Sequence, residues 1–236
     1  MLRSLMLFAG MAALVGNLGI VHAKPSSSVE NAPVARLGGA PGRTAIAFIN
    51  VNVLPMDRER VLQHQTVRVA DGKIVSVKPA GAATIPAGTK RIDARGEWLL
   101  PGLADMHVHV QVNADLALFI ANGVTTVLHM GLAPSSMVDL DREDIESGKL
   151  VGPQMFFGFI VDGSPRLGLP YVSTPEEARA MVQFAKANRY NYIKVYNNLS
   201  PQELAAIVQE SQRLGMAVIG HGVRSVGLPA ALARGR

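Results

Sequence analysis

The sequence predicts an α/β fold built from parallel βα units, and three observations support this. From Leu99 onward, strand-like and helix-like segments alternate, which is typical of a parallel sheet with crossover helices. Two of the helices begin with capping-box patterns that have proline in the first turn, 174–177 and 200–203. The first strand ends in two histidines, and polar residues at strand ends are typical of barrel enzymes.

The alternating segments amount to five βα units. Their strands begin at Leu99, Val124, Met155, Tyr192 and Met216. A closed βα barrel needs eight strands and typically about 250 residues, whereas Leu99 to Arg236 is 138 residues. The sequence therefore predicts five parallel βα units over 99–236, with a further connecting helix beginning at Leu228. Five units are too few to close a barrel of eight.

The region before the barrel is predicted to contain three parts. Residues 1–23 have a positive start, an apolar run and a small-residue site ending at Ala23, which together predict a signal peptide cleaved after that residue. An uncleaved membrane anchor is the alternative, but Gly10, Gly16 and Gly19 interrupt the run. Export to the periplasm or the medium, without a stable anchor, is the expectation. Residues 24–43 are rich in Ser, Pro, Gly and Ala and read as a flexible linker.

Short strands separated by turns are predicted between residues 44 and 98. The run 45–54 is apolar with partial alternation, and Thr66–Ala70 is followed by Asp71-Gly72 and a second short run to Val77. Asp-Gly between two strand-like runs indicates a β-hairpin. We expect a small N-terminal β domain here.

Composition excludes several classes of function. The chain is 48% hydrophobic and 17% charged, which suits a globular core. It contains no cysteine, so neither a disulfide framework nor a thiolate metal site can form. The formal charge is +5, but lysine and arginine are scattered without interleaved aromatic residues, so no nucleic-acid partner is expected.

The most informative segment is Leu99-Leu-Pro-Gly-Leu-Ala-Asp105-Met-His107-Val-His109. In an extended strand, alternate side chains point to the same face, so His107 and His109 lie roughly 6.5–7 Å apart along one face. Histidine is a common nitrogen ligand for zinc and similar ions. The alternative is a solvated pair, which the apolar approach and the nearby carboxylate of Asp105 disfavour. The segment predicts a divalent metal site.

This segment resembles the first barrel strand of the amidohydrolase superfamily, in particular its imidazolonepropionase-like and prolidase-like branch. The resemblance runs from about Thr44 to Leu228 and includes three later motifs. These are Gly123-Val-Thr-Thr-Val127, Tyr192-Ile-Lys194-Val-Tyr196 and Val218-Ile-Gly-His221-Gly. It implies that residues 44–98 form the N-terminal part of a composite β-sandwich. It also implies that residues 99–236 form about five of the eight βα units of a TIM-like (β/α)8 barrel, so that the chain is a truncated, front portion of such an enzyme.

The resemblance also implies a set of site residues. His107 and His109 match the ligands of a first metal, and His221 matches a ligand of a second. Lys194 matches the fourth-strand lysine that takes up carbon dioxide and bridges two divalent ions in the complete enzymes, where zinc is the expected metal. For Lys194 an ordinary salt-bridged lysine is the alternative, and for His221 a structural histidine. His129 could face the substrate or serve the fold, and Asp105 would support the site from below. The family's second-metal histidine of a later strand and its catalytic aspartate of the eighth strand have no counterpart in this sequence.

The implied activity is metal-dependent hydrolysis of carbon–nitrogen bonds by a metal-bridged hydroxide. Its substrates would be small amides, cyclic amides or dipeptides ending in proline. Two alternatives remain within the superfamily, a phosphoester hydrolase and a catalytically inactive fragment of such an enzyme. A non-catalytic exported binding domain is a further alternative, but it gives no reason for the metal-facing histidines and lysine. The sequence leaves the substrate and the oligomeric state open.

Overall fold

The computed structural model describes residues Met6–Ala9 and 45–233. The predicted signal peptide and linker lie outside the described residues, apart from the four residues of strand β1 (Met6–Ala9). Export and cleavage after Ala23 therefore stay predictions. No helix in the described part of the chain is long and apolar enough to cross a membrane.

The chain divides into two compact units. The first consists of the residues up to Ala104 with Leu116–Thr126 and Asp144–Pro153, and the second of Asp105–Asp115, Val127–Glu143 and the residues from Gln154 onward. The units interleave along the sequence. The domain boundary predicted between residues 98 and 99 stays a prediction.

The first sheet has six strands. After β1 they are β2 (Ile46–Val53), β3 (Leu62–Ala70), β4 (Lys73–Pro79), β5 (Lys90–Asp93) and β6 (Trp98–Pro101). The order is β1-β6-β2-β3-β4, and β5 also pairs with β2. The predicted hairpin is present between β3 and β4, where Asp71 and Gly72 have φ values of 50° and 73°. Two consecutive positive φ angles are the geometry that favours Asp-Gly in a two-residue turn.

The core of this unit lies along one face of the sheet. Its members are apolar side chains from β2, β3 and the β6 region: Phe48, Val51, Val53, Val67, Ala94 and Leu99. Burial of these side chains removes apolar surface from water, which is the main favourable contribution to folding.

The second sheet has five strands in the order of the sequence. They are β7 (Leu103–Val108), β8 (Val124–His129), β9 (Gln154–Val161), β10 (Tyr192–Val195) and β11 (Ala217–Gly220). The helices between and after them are α1 (Ala114–Ala121), α2 (Ser135–Glu146), α3 (Pro175–Ala187), α4 (Pro201–Leu214) and α5 (Leu228–Ala233). Strands β9, β10 and β11 pair in parallel, so their carboxyl ends share one edge. The predicted α/β fold of five βα units is confirmed.

The predicted first barrel strand differs from the observed one. The run from Leu99 to His109 is two strands, β6 in the first sheet and β7 in the second, separated at Gly102. Pro101 has no N–H to donate to a ladder. A Cβ at Gly102 would collide with the Thr125 side chain, so glycine allows the chain to pass close to β8.

The helix starts follow the sequence prediction with one difference. At α4, the Ser200 Oγ accepts from the Glu203 N–H and the Glu203 carboxylate accepts from the Ser200 N–H, which completes the capping box. At α3, Thr174 caps the Glu177 N–H, but the Glu177 carboxylate accepts from Ser173 instead of Thr174. The carboxylate thus satisfies an amide one residue earlier than the motif predicts.

Loss of the α4 cap should destabilise the protein measurably. Ser200→Ala removes the acceptor for the Glu203 N–H, and such caps contribute about 1 kcal/mol. Gln209→Ala, an exposed position on the same helix, should change the free energy of unfolding by no more than about 0.5 kcal/mol. Urea unfolding followed by circular dichroism measures both variants. Equal losses would contradict the capping role.

Candidate metal centre

Alternation along β7 places the two motif histidines together. Val108 and Val110 are buried, whereas His107 and His109 are exposed on the other side. The centroids of the two imidazole rings lie 5.4 Å apart. The predicted common face is therefore present, in the second unit and at the carboxyl end of its first strand.

Lys194 lies against this pair. Its Nζ is 3.4 Å from the His107 Nε2, although 87 residues separate them in the sequence. Its side chain is only 2% exposed, and Ile193 and Val195 beside it on β10 are fully buried. The two side chains can approach this closely only if both point to the same face of the sheet.

Burial changes the proton affinity of both groups. The Lys194 pKa is lowered because burial disfavours the charged ammonium. The His107 pKa is also lowered, first by desolvation and then by the charge of Lys194. Both shifts favour neutral nitrogen, and only a neutral nitrogen has the lone pair that a metal ion or carbon dioxide requires.

His109 is oriented by a backbone carbonyl. Its Nδ1 lies 3.3 Å from the Gly131 oxygen. A carbonyl oxygen can only accept, so Nδ1 donates and Nε2 keeps its lone pair, as in most histidine ligands. Gly131 has φ +105°, and a Cβ there would lie 2.8 Å from the Ile160 Cβ. Glycine is thus required where this carbonyl turns toward His109.

His221 follows the end of β11. It contacts Val195, the last residue of β10, and Asn197 in the loop after β10. Its backbone N–H donates to the Val195 oxygen at 3.0 Å, and its Nδ1 lies 3.2 Å from the Asn197 Oδ1. Gly220, with φ +126°, has no room for a Cβ beside the Val195 oxygen, and that Cβ would lie 3.2 Å from the Lys194 Cγ. His221 therefore extends from a backbone that directly touches Lys194.

His129 lies on the other face of the sheet. Lys194 pairs with Ile160, whereas His129 stacks on Phe157, which is on the opposite side of β9 from Ile160. The His129 ring is 1% exposed, its Nε2 contacts the Val110 oxygen at 3.2 Å, and burial lowers its pKa. The His129 ring centroid also lies 6.0 Å from that of His109, so both roles that the sequence left open for His129, facing the substrate and serving the fold, stay predictions.

The other polar candidates are placed as follows. The Asp105 carboxylate accepts from the His107 backbone N–H at 3.1 Å. His64 is exposed in β3. Sequence analysis missed Asp162 and Asn197. Asp162 directly follows β9, and Asn197 comes shortly after β10. Barrel sites form at such carboxyl ends of strands.

The residues present fit a divalent ion by their chemistry. In the described part of the chain, no group of three or more His, Asp or Glu side chains is positioned to hold a metal. A third nitrogen, the buried amine of Lys194, lies 3.4 Å from the His107 Nε2. His109 is oriented with Nε2 as the donor atom, and desolvation together with the charge of Lys194 lowers the pKa of His107.

Comparison with known proteins shows which enzymes the chain resembles. Adenine deaminase 2 of Bradyrhizobium sp. (strain ORS 278) is 34% identical over 96 residues, which are 37% of this chain and 16% of that protein. L-hydantoinase of Paenarthrobacter aurescens is 26% identical over 166 residues, 66% of this chain and 35% of the relative. No protein-family model matches the chain.

A solved structure of a prolidase complexed with N-methylphosphonate-L-proline has the same fold. It superposes with a TM-score of 0.67 at 22% identity, covering 81% of this chain and 59% of that one. Over part of its length, the chain is similar to proteins of the amidohydrolase superfamily. It spans less than two thirds of the length of these relatives, and its five parallel strands correspond to part of their TIM barrel. The relatives include hydrolases that act on carbon–nitrogen bonds.

The buried amine of Lys194 should make stability depend on pH. Because the pKa of Lys194 is lower in the folded chain, the unfolded chain binds more protons between that pKa and the ordinary lysine value. The stability contributed at this position therefore rises with pH in that interval, by at most about 1.4 kcal/mol per pH unit. Lys194→Met should be more stable than the wild type at neutral pH, and the difference should shrink as the pH rises.

Chemical unfolding of the metal-free protein across this pH range measures the effect. Lys186→Met, at an exposed position in α3, is the control. The difference in the free energy of unfolding between this variant and the wild type should not change with pH. A difference between Lys194→Met and the wild type that does not change with pH would contradict the burial of a neutral amine.

Proposed function

We propose that the protein is a metal-dependent hydrolase that cleaves carbon–nitrogen bonds in small amides, cyclic amides or dipeptides ending in proline. The observation that carries this proposal is the 3.4 Å approach of the Lys194 Nζ to the His107 Nε2 on a buried strand end. Burial of the Lys194 amine beside an imidazole costs stability, because the amine loses its hydration without gaining a carboxylate partner in the described part of the chain. It is useful where both nitrogens serve as ligands or ligand precursors.

In this proposal His107 and His109 hold one divalent ion, and His221 contributes to a second. Zinc is the expected metal, because neutral imidazoles and an oxygen donor suit it. When bound, the ions polarise the scissile carbonyl and lower the pKa of a water molecule.

Lys194 would supply an anionic oxygen ligand by reacting with carbon dioxide. The neutral amine attacks the carbon, so that an N–C bond forms while one C–O π bond opens onto its oxygen, and one N–H proton leaves to solvent. The product is a carbamate with one negative charge, so a potential cation becomes an anionic oxygen ligand. Lowering of the Lys194 pKa by burial favours this step, because only the neutral amine is nucleophilic.

The substrate class comes from the relatives. Their names include adenine deaminase and L-hydantoinase, and a prolidase shares the fold. These names have in common the hydrolysis of a carbon–nitrogen bond in a small molecule. We extend that class to this chain without assigning one substrate.

A direct test combines metal binding with turnover. The full chain, stripped of metal, is titrated with zinc, manganese and cobalt in bicarbonate and assayed on hydantoins, aminopurines and X-Pro dipeptides. His107→Asn should weaken binding by more than the roughly 10–100-fold expected for loss of a supporting residue, and should abolish turnover. His64→Asn, an exposed histidine replaced in the same way, should change neither.

Carboxylation is measured separately with ¹³C-labelled bicarbonate. The wild type should give a carbamate signal that disappears in Lys194→Arg and persists in Lys186→Arg. Equal metal affinity in the wild type and His107→Asn would contradict the metal site. Metal binding without cleavage of any substrate in the panel would contradict the proposed activity.

A further inference from the structure

The candidate site depends on the curvature of the second sheet. Three strand spacings separate β7, which carries His107, from β10, which carries Lys194. In a flat sheet, neighbouring strands lie about 4.8 Å apart and side chains stand roughly perpendicular to the sheet, which would keep these two side chains roughly 14 Å apart. The Lys194 Nζ and the His107 Nε2 are 3.4 Å apart, whichever of the two donates. The sheet is therefore curved toward the face that carries them, which we call the concave face.

Tyr192 crosses the concave face beside this pair. It lies two residues before Lys194 in β10, so alternation directs its ring to the same face. Its partner in the neighbouring strand β9 is Gly158. A Cβ at Gly158 would lie 2.4 Å from the Tyr192 Cε2, so only glycine leaves space for the ring to pass over β9.

The hydroxyl of Tyr192 reaches the strand beyond β9. It donates to the backbone oxygen of His129, the last residue of β8, at 3.0 Å, and it lies 3.9 Å from the Met130 Sδ. A carbonyl oxygen can only accept, so the direction of the first hydrogen bond is fixed. Tyr192 is 5% exposed, so water does not compete for this contact. One side chain thus connects β10 to β8 across β9.

A backbone hydrogen bond continues the connection to β7. The Met130 N–H donates to the oxygen of Val108, the residue between the two motif histidines, at 2.9 Å. The strand of Lys194 and the strand of the histidines are therefore linked through the end of β8. In a flat sheet the tyrosine would have to span two strand spacings, roughly 10 Å. Flattening would break the Tyr192 hydrogen bond, so this bond stabilises the curvature.

A second buried tyrosine makes a similar hydrogen bond on the opposite face. The Tyr190 hydroxyl donates to the Ala133 oxygen at 2.7 Å. Its ring packs against Phe159 with centroids 5.1 Å apart. Phe159 follows Gly158 in β9, so alternation places it on the face opposite to the concave one. Loss of the Tyr190 hydroxyl therefore removes a comparable hydrogen bond without affecting the concave face.

We propose that Tyr192 is a positioning residue that stabilises the curvature of the second sheet and thereby sets the separation of Lys194 and His107. The consequence for metal binding rests on the proposed function, and the separation of the two side chains does not. Tyr192 touches neither metal nor substrate in this proposal.

The separation is measured by the nuclear Overhauser effect between the Lys194 ε-methylene and the His107 ring protons in the metal-free full chain, labelled at lysine and histidine. The wild type should show this signal, and Lys194→Arg should remove it and so assign it. Tyr192→Phe keeps the ring and loses the hydroxyl, and it should weaken the signal strongly because the effect falls steeply with distance. Tyr190→Phe should leave the signal unchanged, although urea unfolding should show a comparable loss of stability in both variants.

Gly158→Ala tests the same contact from β9. The added Cβ would lie 2.4 Å from the Tyr192 Cε2, so the ring must move and its hydroxyl should leave the His129 oxygen. The signal between Lys194 and His107 should weaken as in Tyr192→Phe. Gly81→Ala, where nothing lies within 4 Å of the added Cβ, is the matched control and should leave the signal unchanged.

Cobalt titration gives a readout that depends on the proposed function. Tyr192→Phe should weaken affinity about 10-fold, at the lower end of the effect of removing a residue that supports a ligand. Tyr190→Phe should leave the affinity unchanged. A merely structural role would affect both tyrosine variants alike.

The outcomes separate this inference from the proposed function. An unchanged signal in Tyr192→Phe, equal weakening in Tyr192→Phe and Tyr190→Phe, or no signal in the wild type would overturn the inference whatever the metal does. If the wild type binds no cobalt, the proposed metal function fails, and the signal between Lys194 and His107 still decides whether Tyr192 sets their separation.

Discussion

The burial of the Lys194 amine is the constraint on which the rest of this site depends. A lysine on a four-residue parallel strand would ordinarily direct its charge to water, but here its side chain is 2% exposed. Burial is possible because β9 and β11 flank β10 and because Gly220 allows β11 to approach without a side chain in the way. The same packing places the amine beside His107 and lowers the pKa of both groups.

The neighbouring side chains are oriented by the backbone rather than by one another. His109 is held by the Gly131 carbonyl and His221 by the loop that carries Asn197. The Gly131 carbonyl can only accept, so the His109 Nδ1 donates to it and the His109 Nε2 keeps its lone pair. Histidines oriented in this way before any ion arrives lose little conformational freedom on binding, which favours affinity.

Much of this arrangement could be predicted from the sequence, because it depends on local rules. The Asp-Gly hairpin, the α4 capping box and the five βα units follow from turn chemistry, capping and periodicity. The pairing of His107 with His109 follows from alternation along a strand. The division of the run from Leu99 into two strands could not be predicted, because it depends on the close packing of Gly102 against Thr125.

The contacts of Asp162 and Asn197 could not be predicted from local sequence rules either. Asp162 meets Asn198 across 36 positions in the sequence, and Asn197 meets His221 across 24. No periodicity connects such pairs. The face on which His129 lies was equally undetermined, since a histidine at a strand end fits either side until the register with Phe157 is known.

A crystal structure of the full chain grown with zinc and bicarbonate tests the central claim most directly. Anomalous scattering should place zinc within bonding distance of the His107 and His109 nitrogens, with density for a carboxyl group continuous with the Lys194 Nζ. Zinc bound elsewhere, or an unmodified Lys194 turned away from His107, would contradict the account.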